Sequence, residues 1–167
     1  MAEPKAITTW EEFSSAYQTW VEANFPNTPS YRPLLGIVEE IGELRDAHIE
    51  NNDALIKDSI GDTLVYAHHY ATIMEFNLHA AIELGPLTRF KDLTILIGKL
   101  AHCHLKYEQG IRQITKAEVE LTYAALIRGL NTFAMVRSLD LFSVLFETFT
   151  QVQKRNWAKH KTDGGVV

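Results

Sequence analysis

The stretch Leu34-Leu35-Gly36-Ile37-Val38-Glu39-Glu40-Ile41-Gly42-Glu43-Leu44, followed after a short break by Asp58-Ser59-Ile60-Gly61-Asp62-Thr63-Leu64, decides how the rest of the chain reads. A helix turns about 100° per residue, so residues three and four apart share a face. In the first stretch Leu34, Ile37, Val38, Ile41 and Leu44 fall on one side. Glu39, Glu43, Asp46 and Glu50 fall on the other, with Glu40 toward the edge. That is an amphipathic helix. The second stretch is apolar nearly all round. Leu55, Val65, Tyr66, Ile73 and Phe76 share the stripe of Asp58 and Asp62, while Ile60, Leu64, Ala67, Ala71 and Met74 take the opposite side. Such a helix is expected to be buried. Asn51-Asn52-Asp53 breaks and recaps the chain between the two. The pair reads as an acidic helical hairpin over 33–76.

Working outward, almost everything else reads as helix. Thr9 with Glu12 makes a capping-box start for a helix from Trp10 to Ala23. Asn24 to Pro33 holds three of the five prolines and reads as a loop. Helices are then expected over Pro33–Glu50, Ala54–Glu75 and Lys91–Glu108, with Gly85-Pro86 and Gly110 as breaks. Thr115 with Glu118 opens another helix to Arg137, and a last one runs from Asp140 to Lys159. Gly164-Gly165-Val166-Val167 reads as a frayed end. The expectation is a single domain over 1–167, an all-α helical bundle of about six helices. Leu96-Ile97-Gly98 repeats Leu34-Leu35-Gly36 at a shift of 62 residues, and the segment 91–138 reads as a degenerate second hairpin. There Ala101, His102 and Leu105 stand where Glu39, Glu40 and Glu43 stand in the first.

Composition narrows the classes. Hydrophobic residues are 46% of the 167 and charged residues 22%, enough for a buried core and against disorder. Cys103 is the only cysteine, which excludes an intrachain disulfide and a cysteine-based zinc site and fits a reducing, cytoplasmic setting. Met1 to Trp10 has no apolar core of a secretion signal, and no run is long enough to cross a membrane. The net charge is −5, but Ile37 to Asp62 carries eight acids against Arg45 and Lys57. The tail 151–167 has Lys154, Arg155, Lys159 and Lys161 against Asp163. It is too short to argue for a nucleic acid polymer as partner. HExxH, GxxxxGK and GxGxxG are absent.

The acids carry the chemistry. Glu39 has Glu43 one turn on, and Asp46 has Glu50, so the usual i,i+4 cations are missing. Asp58 and Asp62 interrupt a helix that should be buried, and an unpaired buried carboxylate costs several kcal/mol or takes up a proton. Two readings stand on the residues alone: a polar bundle seam, or a divalent metal shared between the two helices. Oxygen-only donors favour Mg²⁺ or Mn²⁺. The histidines offer less. His102 and His104 diverge on their helix, as do His68 and His69, although His69 lies near the Asp58/Asp62 stripe.

Glu39-Glu40-Ile41-Gly42-Glu43-Leu44 with Ile60-Gly61-Asp62-Thr63-Leu64 resembles the MazG-like all-α nucleoside triphosphate pyrophosphatases, whose signature is EExxE on one helix and ExxD on the next. Their superfamily also contains the dimeric dUTPases. Lys154-Arg155-Asn156-Trp157-Ala158-Lys159 is similar to the short Asn-x-x-Lys segment that ends many stand-alone bacterial or phage members and contacts nucleotide there. The resemblance implies hydrolysis of a (d)NTP to (d)NMP and pyrophosphate in nucleotide-pool control, leaning to (d)GTP, with a dUTP diphosphatase as the alternative. It puts Glu40, Glu43 and Asp62 at metal-ligand positions, with Glu39 as a further ligand or general base and two or more ions per site. One position departs from the signature: Ser59 stands where ExxD has its glutamate, and Asp58 is the substitute carboxylate. Lys154, Arg155, Asn156 and Lys159 are the expected substrate contacts, with Arg89 and Lys91 as further cations. Trp20, Asn24, Phe25 and Tyr31 are candidates near the base. The resemblance also implies a homodimer or homotetramer. The rivals are a non-catalytic helical scaffold and a nucleotide sensor that lost turnover through Ser59.

Overall fold

A computed structural model of the protein describes residues 6–89 and 92–165. These residues form an all-α bundle with seven helices: α1 (Trp10–Asn24), α2 (Tyr31–Ile49), α3 (Asp53–Met74), α4 (Leu78–Glu83), α5 (Leu93–Glu108), α6 (Lys116–Met135) and α7 (Leu141–Val152). No helix among them is long and apolar enough to cross a membrane.

Side chains capping the helix starts explain where most elements begin. Thr9, Asn52, Asn77, Asp92, Thr115 and Asp140 each accept a hydrogen bond from a backbone N–H in the first turn. At Thr115 and Glu118 the reciprocal capping box is complete. At α1 the glutamate behaves differently: the Glu12 carboxylate accepts from the Thr8 backbone N–H at 3.0 Å and from the Thr8 hydroxyl at 2.9 Å. Helix α2 begins two residues before Pro33. Helix α4 was not expected. Asn77 caps it, and Leu78, Ala81 and Ile82 are buried, but six residues are too few for a period to stand out in sequence.

Helices α2 and α3 form the most extensive contact, an antiparallel hairpin closed by the three residues 50–52; α5 and α6 form a second hairpin. Helix α3 lies at the centre, against α2 on one side and α7 on another. Its burial follows from its composition: Ile56, Ile60, Leu64, Ala67, Tyr70 and Ala71 are all essentially inaccessible. Two glycines set the spacing around it. A Cβ on Gly36 of α2 would lie 2.5 Å from the ring of Tyr66, and one on Gly61 of α3 would lie 1.9 Å from Oγ1 of Thr148 on α7. The absence of a side chain at each position lets the helices approach that closely.

Helix α7 ends at Val152, seven residues before the expected Lys159. Beyond it the tail turns back on itself and onto α1. The Asn156 N–H donates to the Gly164 carbonyl at 2.7 Å, the Trp157 N–H to Oδ1 of Asn24 at 2.6 Å, and Nε1 of Trp20 to the Arg155 carbonyl at 2.9 Å. These long-range bonds hold the chain in a folded-back shape that an amphipathic pattern alone would continue as helix. Gly164 is consequently buried against Arg155 rather than frayed; Val166 and Val167 lie outside the described residues.

Candidate functional site

The register of the α2–α3 hairpin builds the site. From the contact of Gly36 with the Tyr66 ring, one turn up α2 and one turn down α3 arrives at Glu40 and Asp62. Both line a single cavity of about 490 Å³. Its other walls are Tyr17 and Trp20 of α1, Phe25 just after α1, Val65, Tyr66 and His69 of α3, Val152 of α7, and Arg155, Trp157 and Lys161 of the tail. The lining thus brings two carboxylates, a set of aromatic rings and two cations to one cavity.

Electrostatics separates the five acids. Glu40 is 8% exposed, and no hydrogen bond or ion pair reaches its carboxylate among the described residues. Burial, reinforced by repulsion from Asp62, Glu43, Glu39 and Asp58, pushes its pKa from the ordinary value of 4.5 up to about 8. Asp62 is raised to about 6, again chiefly by burial and then by Asp58 and Glu43, while the Arg155 guanidinium pulls the other way. Glu39, Glu43 and Asp58 are exposed at the rim, near enough to act on the two inner carboxylates. All five acids singled out in the sequence therefore share one neighbourhood. Among the described residues, however, no three His, Cys, Asp or Glu side chains already converge as metal ligands do. Ser59 is buried, and its carbonyl accepts from the Thr63 hydroxyl at 2.7 Å.

The tail residues divide. Arg155 faces the cavity, with its guanidinium 6.0 Å from the Trp157 ring centroid. Lys154 and Asn156 line a separate hollow beside α1. Nζ of Lys154 donates to Gln151, and Oδ1 of Asn156 accepts from the Lys159 N–H at 3.0 Å. Lys159 and Arg89 are exposed and border none of these hollows, and Lys91 lies outside the described residues. Of the residues expected near a base, Trp20 and Phe25 line the cavity. Asn24 is taken up in holding Trp157, and Tyr31 is exposed on α2.

Sequence reasoning missed Tyr17, Tyr66, Trp157 and Lys161 as cavity residues. Tyr17 is 1% exposed, and its hydroxyl meets no hydrogen-bond partner among the described residues. Tyr66 is close enough to Glu40, Glu39 and Asp62 for their charges to raise its pKa, after burial. His69 lines the cavity too, and burial lowers its pKa, so it is neutral there at pH 7. Its neighbour His68 is held to about 4 by burial and by His69, amid the rings of Trp10, Phe13 and Tyr17.

Among the described residues Glu40 and Asp62 have no cationic partner in bonding contact, and with Glu39, Glu43 and Asp58 nearby they are oxygen donors of the chemical kind a hard divalent cation takes, although no three of them converge on one point. The chain matches no protein-family model, no curated protein and no solved structure.

Proposed function

We propose that the protein is a divalent-metal-dependent nucleotide pyrophosphohydrolase that cleaves a nucleoside triphosphate to the monophosphate and pyrophosphate. One observation carries the reading: Glu40 and Asp62, from neighbouring antiparallel helices, line the same cavity as an aromatic flank and the cations Arg155 and Lys161. A triphosphate-bearing aromatic molecule needs each of these parts. The resemblance of the EExxE stretch and Asp62 to the MazG-like enzymes supports the same reading.

In this reading Glu40 and Asp62 hold Mg²⁺ or Mn²⁺, with Glu43, Asp58 and Glu39 available to complete the ligand set from the rim. When bound, such an ion lowers the pKa of water and screens phosphate charge. Arg155 and Lys161 offset the charge of the phosphate chain, and Trp20, Phe25 and Trp157 supply faces on which a base stacks. The Tyr17 hydroxyl is a polar group left free for the edge of that base. A water oxygen bonds to the α-phosphorus, and the bond from that phosphorus to the α–β bridging oxygen breaks. Pyrophosphate leaves with the electron pair, and Glu39 takes the proton of the water. Asp58, one turn before Asp62, takes the place of the carboxylate that Ser59 does not provide.

The test is a panel of ribo- and deoxynucleoside triphosphates with Mn²⁺ or Mg²⁺, read by product. Pyrophosphate and monophosphate in equal amounts are expected, with purine triphosphates such as (d)GTP turned over fastest and the rate falling about 100-fold or more in Glu43→Ala. Release of orthophosphate overturns the pyrophosphohydrolase reading; no release with any base and no effect of Glu43→Ala overturns it in favour of a scaffold. Tight nucleotide binding without turnover, with activity gained in Ser59→Glu, identifies a sensor instead.

A further inference from the structure

A second cavity, of about 320 Å³, lies where the C-terminal half of α2 meets the start of α5 and the end of α6. It shares no residue with the carboxylate-lined cavity. Its wall is mainly apolar, with Ile41 and Leu44 of α2, Leu93 of α5, Phe133 of α6 and Val136 just after it. Ile41, Leu44 and Leu93 belong to the core, whereas Val136 is 72% exposed at the edge. The volume is at the low end of pockets that take small molecules.

The polar groups of the wall leave one charge over. Among the described lining residues the one acid is Asp92, and both of its oxygens are occupied. Oδ2 accepts from Arg45 at 2.7 Å, and Oδ1 accepts from the Thr94 N–H at 2.8 Å and the Thr94 hydroxyl at 2.6 Å. Arg137 is different. It donates to the Phe133 carbonyl at 3.0 Å and to Nδ1 of His48 at 2.8 Å, and its guanidinium carbon lies 3.9 Å from the Phe133 ring centroid. Among the described residues no carboxylate pairs with it. A guanidinium has five N–H donors and keeps its charge at any ordinary pH, so two bonds to neutral acceptors leave donors and charge unanswered. The same contacts hold the group in place before a ligand arrives, which lowers the ordering cost of binding.

We propose that this cavity binds a small apolar monocarboxylate. The carboxylate accepts from Arg137, and the apolar body replaces water against the five apolar side chains. Charge selects this class. Arg45 and Asp92 cancel, so the wall matches a single negative charge; a phosphate ester would bring a second one beside Asp92. A cation finds no acid free to receive it. A neutral apolar molecule would cover the guanidinium without answering it. The site stands apart from the carboxylate-lined cavity, whatever that cavity binds.

Methyl NMR of the full chain tests this, with octanoate and phenylacetate as probes at neutral pH. Saturable shifts of the Ile41, Leu44, Leu93 and Val136 methyls are expected, with a Kd below about 1 mM for at least one probe. Octanol, which lacks the charge, and acetate, which lacks the apolar body, are each expected to bind at least about tenfold more weakly. Arg137→Gln is expected to weaken the carboxylate about tenfold or more and to leave octanol unchanged. Val136→Glu adds an acid at an exposed position without touching the bonds of Arg137, and is expected to weaken the carboxylate by a similar factor with an unchanged helical spectrum. No shift of these methyls by either probe up to about 10 mM overturns the proposal. So do octanol binding as well as octanoate, shifts confined to Val65 and Val152 of the other cavity, and carboxylate binding that neither substitution weakens.

Discussion

Glu40 is the residue on which most of the energetics turns. In the metal-free protein its pKa is raised from 4.5 to about 8, so between those values the folded state holds a proton that the unfolded state has lost. Its contribution to stability is therefore fully present below pH 4.5 and is lost as pH rises through about 8. Glu40→Gln removes that dependence. Without metal the variant is expected to be more stable than wild type by about 1–2 kcal/mol at pH 8, with the difference shrinking toward pH 4.5. Urea melts at the two pH values check it; a less stable variant at pH 8 contradicts the electrostatic account. A divalent ion must displace the same proton, so thermal stabilisation by Mn²⁺ should grow from pH 6 to pH 8. In the same cavity Tyr17→Phe deletes a hydroxyl that meets no hydrogen-bond partner among the described residues. It is expected to leave stability within about 0.5 kcal/mol of wild type while raising KM for the preferred triphosphate more than for the others. The carboxylates were legible in the sequence because helical period alone puts them on neighbouring faces. Tyr17 and Tyr66 were not, since a buried aromatic at helical spacing looks the same whether it fills a core or lines a cavity.

At the scale of elements, the site depends on how closely helices approach. Gly36 lets the Tyr66 ring lie on α2 beside Glu40, and Gly61 lets α7 press on α3 through Thr148. Gly61→Ala puts a methyl group into the Thr148 side chain and is expected to cost about 1–3 kcal/mol in chemical denaturation, despite the better helix propensity of alanine. A neutral or stabilising outcome contradicts the packing described for α3 and α7. Caps are worth less: Thr115→Ala removes one half of a complete capping box and should cost about 1 kcal/mol. The hairpin 33–76 and most helix starts could be read from sequence because caps and period are local signals. The short α4 could not, with a single turn and a half of pattern. The end of α7 was misplaced because Trp20, Asn24 and Gly164, distant in sequence or beyond the helix, decide it by hydrogen bonding.

At the scale of the whole molecule, an acidic hairpin is covered by a cationic tail, and the chain ends and middle are brought together to make one cavity. In the proposed reaction neither half would suffice: the acids alone would repel a triphosphate, and the tail alone would offer no group to activate water. Deleting residues 153–165 removes Arg155, Trp157 and Lys161 together. The shortened protein is expected to keep its helical spectrum and its Mn²⁺ binding but to lose affinity for a non-hydrolysable triphosphate about 100-fold or more, as read by calorimetry. Retained triphosphate affinity would mean that the tail is not the cover the cavity uses. The basic tail was visible as composition, yet which of its cations line the cavity of the acids depended on the fold: Arg155 and Lys161 do, and Arg155 acts on Asp62, whereas Lys154 and Lys159 do not line it. The most direct measurement is Mn²⁺ binding to the metal-free protein at pH 8, followed by electron paramagnetic resonance of the free ion. Wild type is expected to take up Mn²⁺ at micromolar concentration, Glu40→Gln and Asp62→Asn to bind it at least about tenfold more weakly, and Asp46→Asn to match wild type. Equal uptake by all four proteins, or none by wild type, would contradict a metal centre shared between α2 and α3.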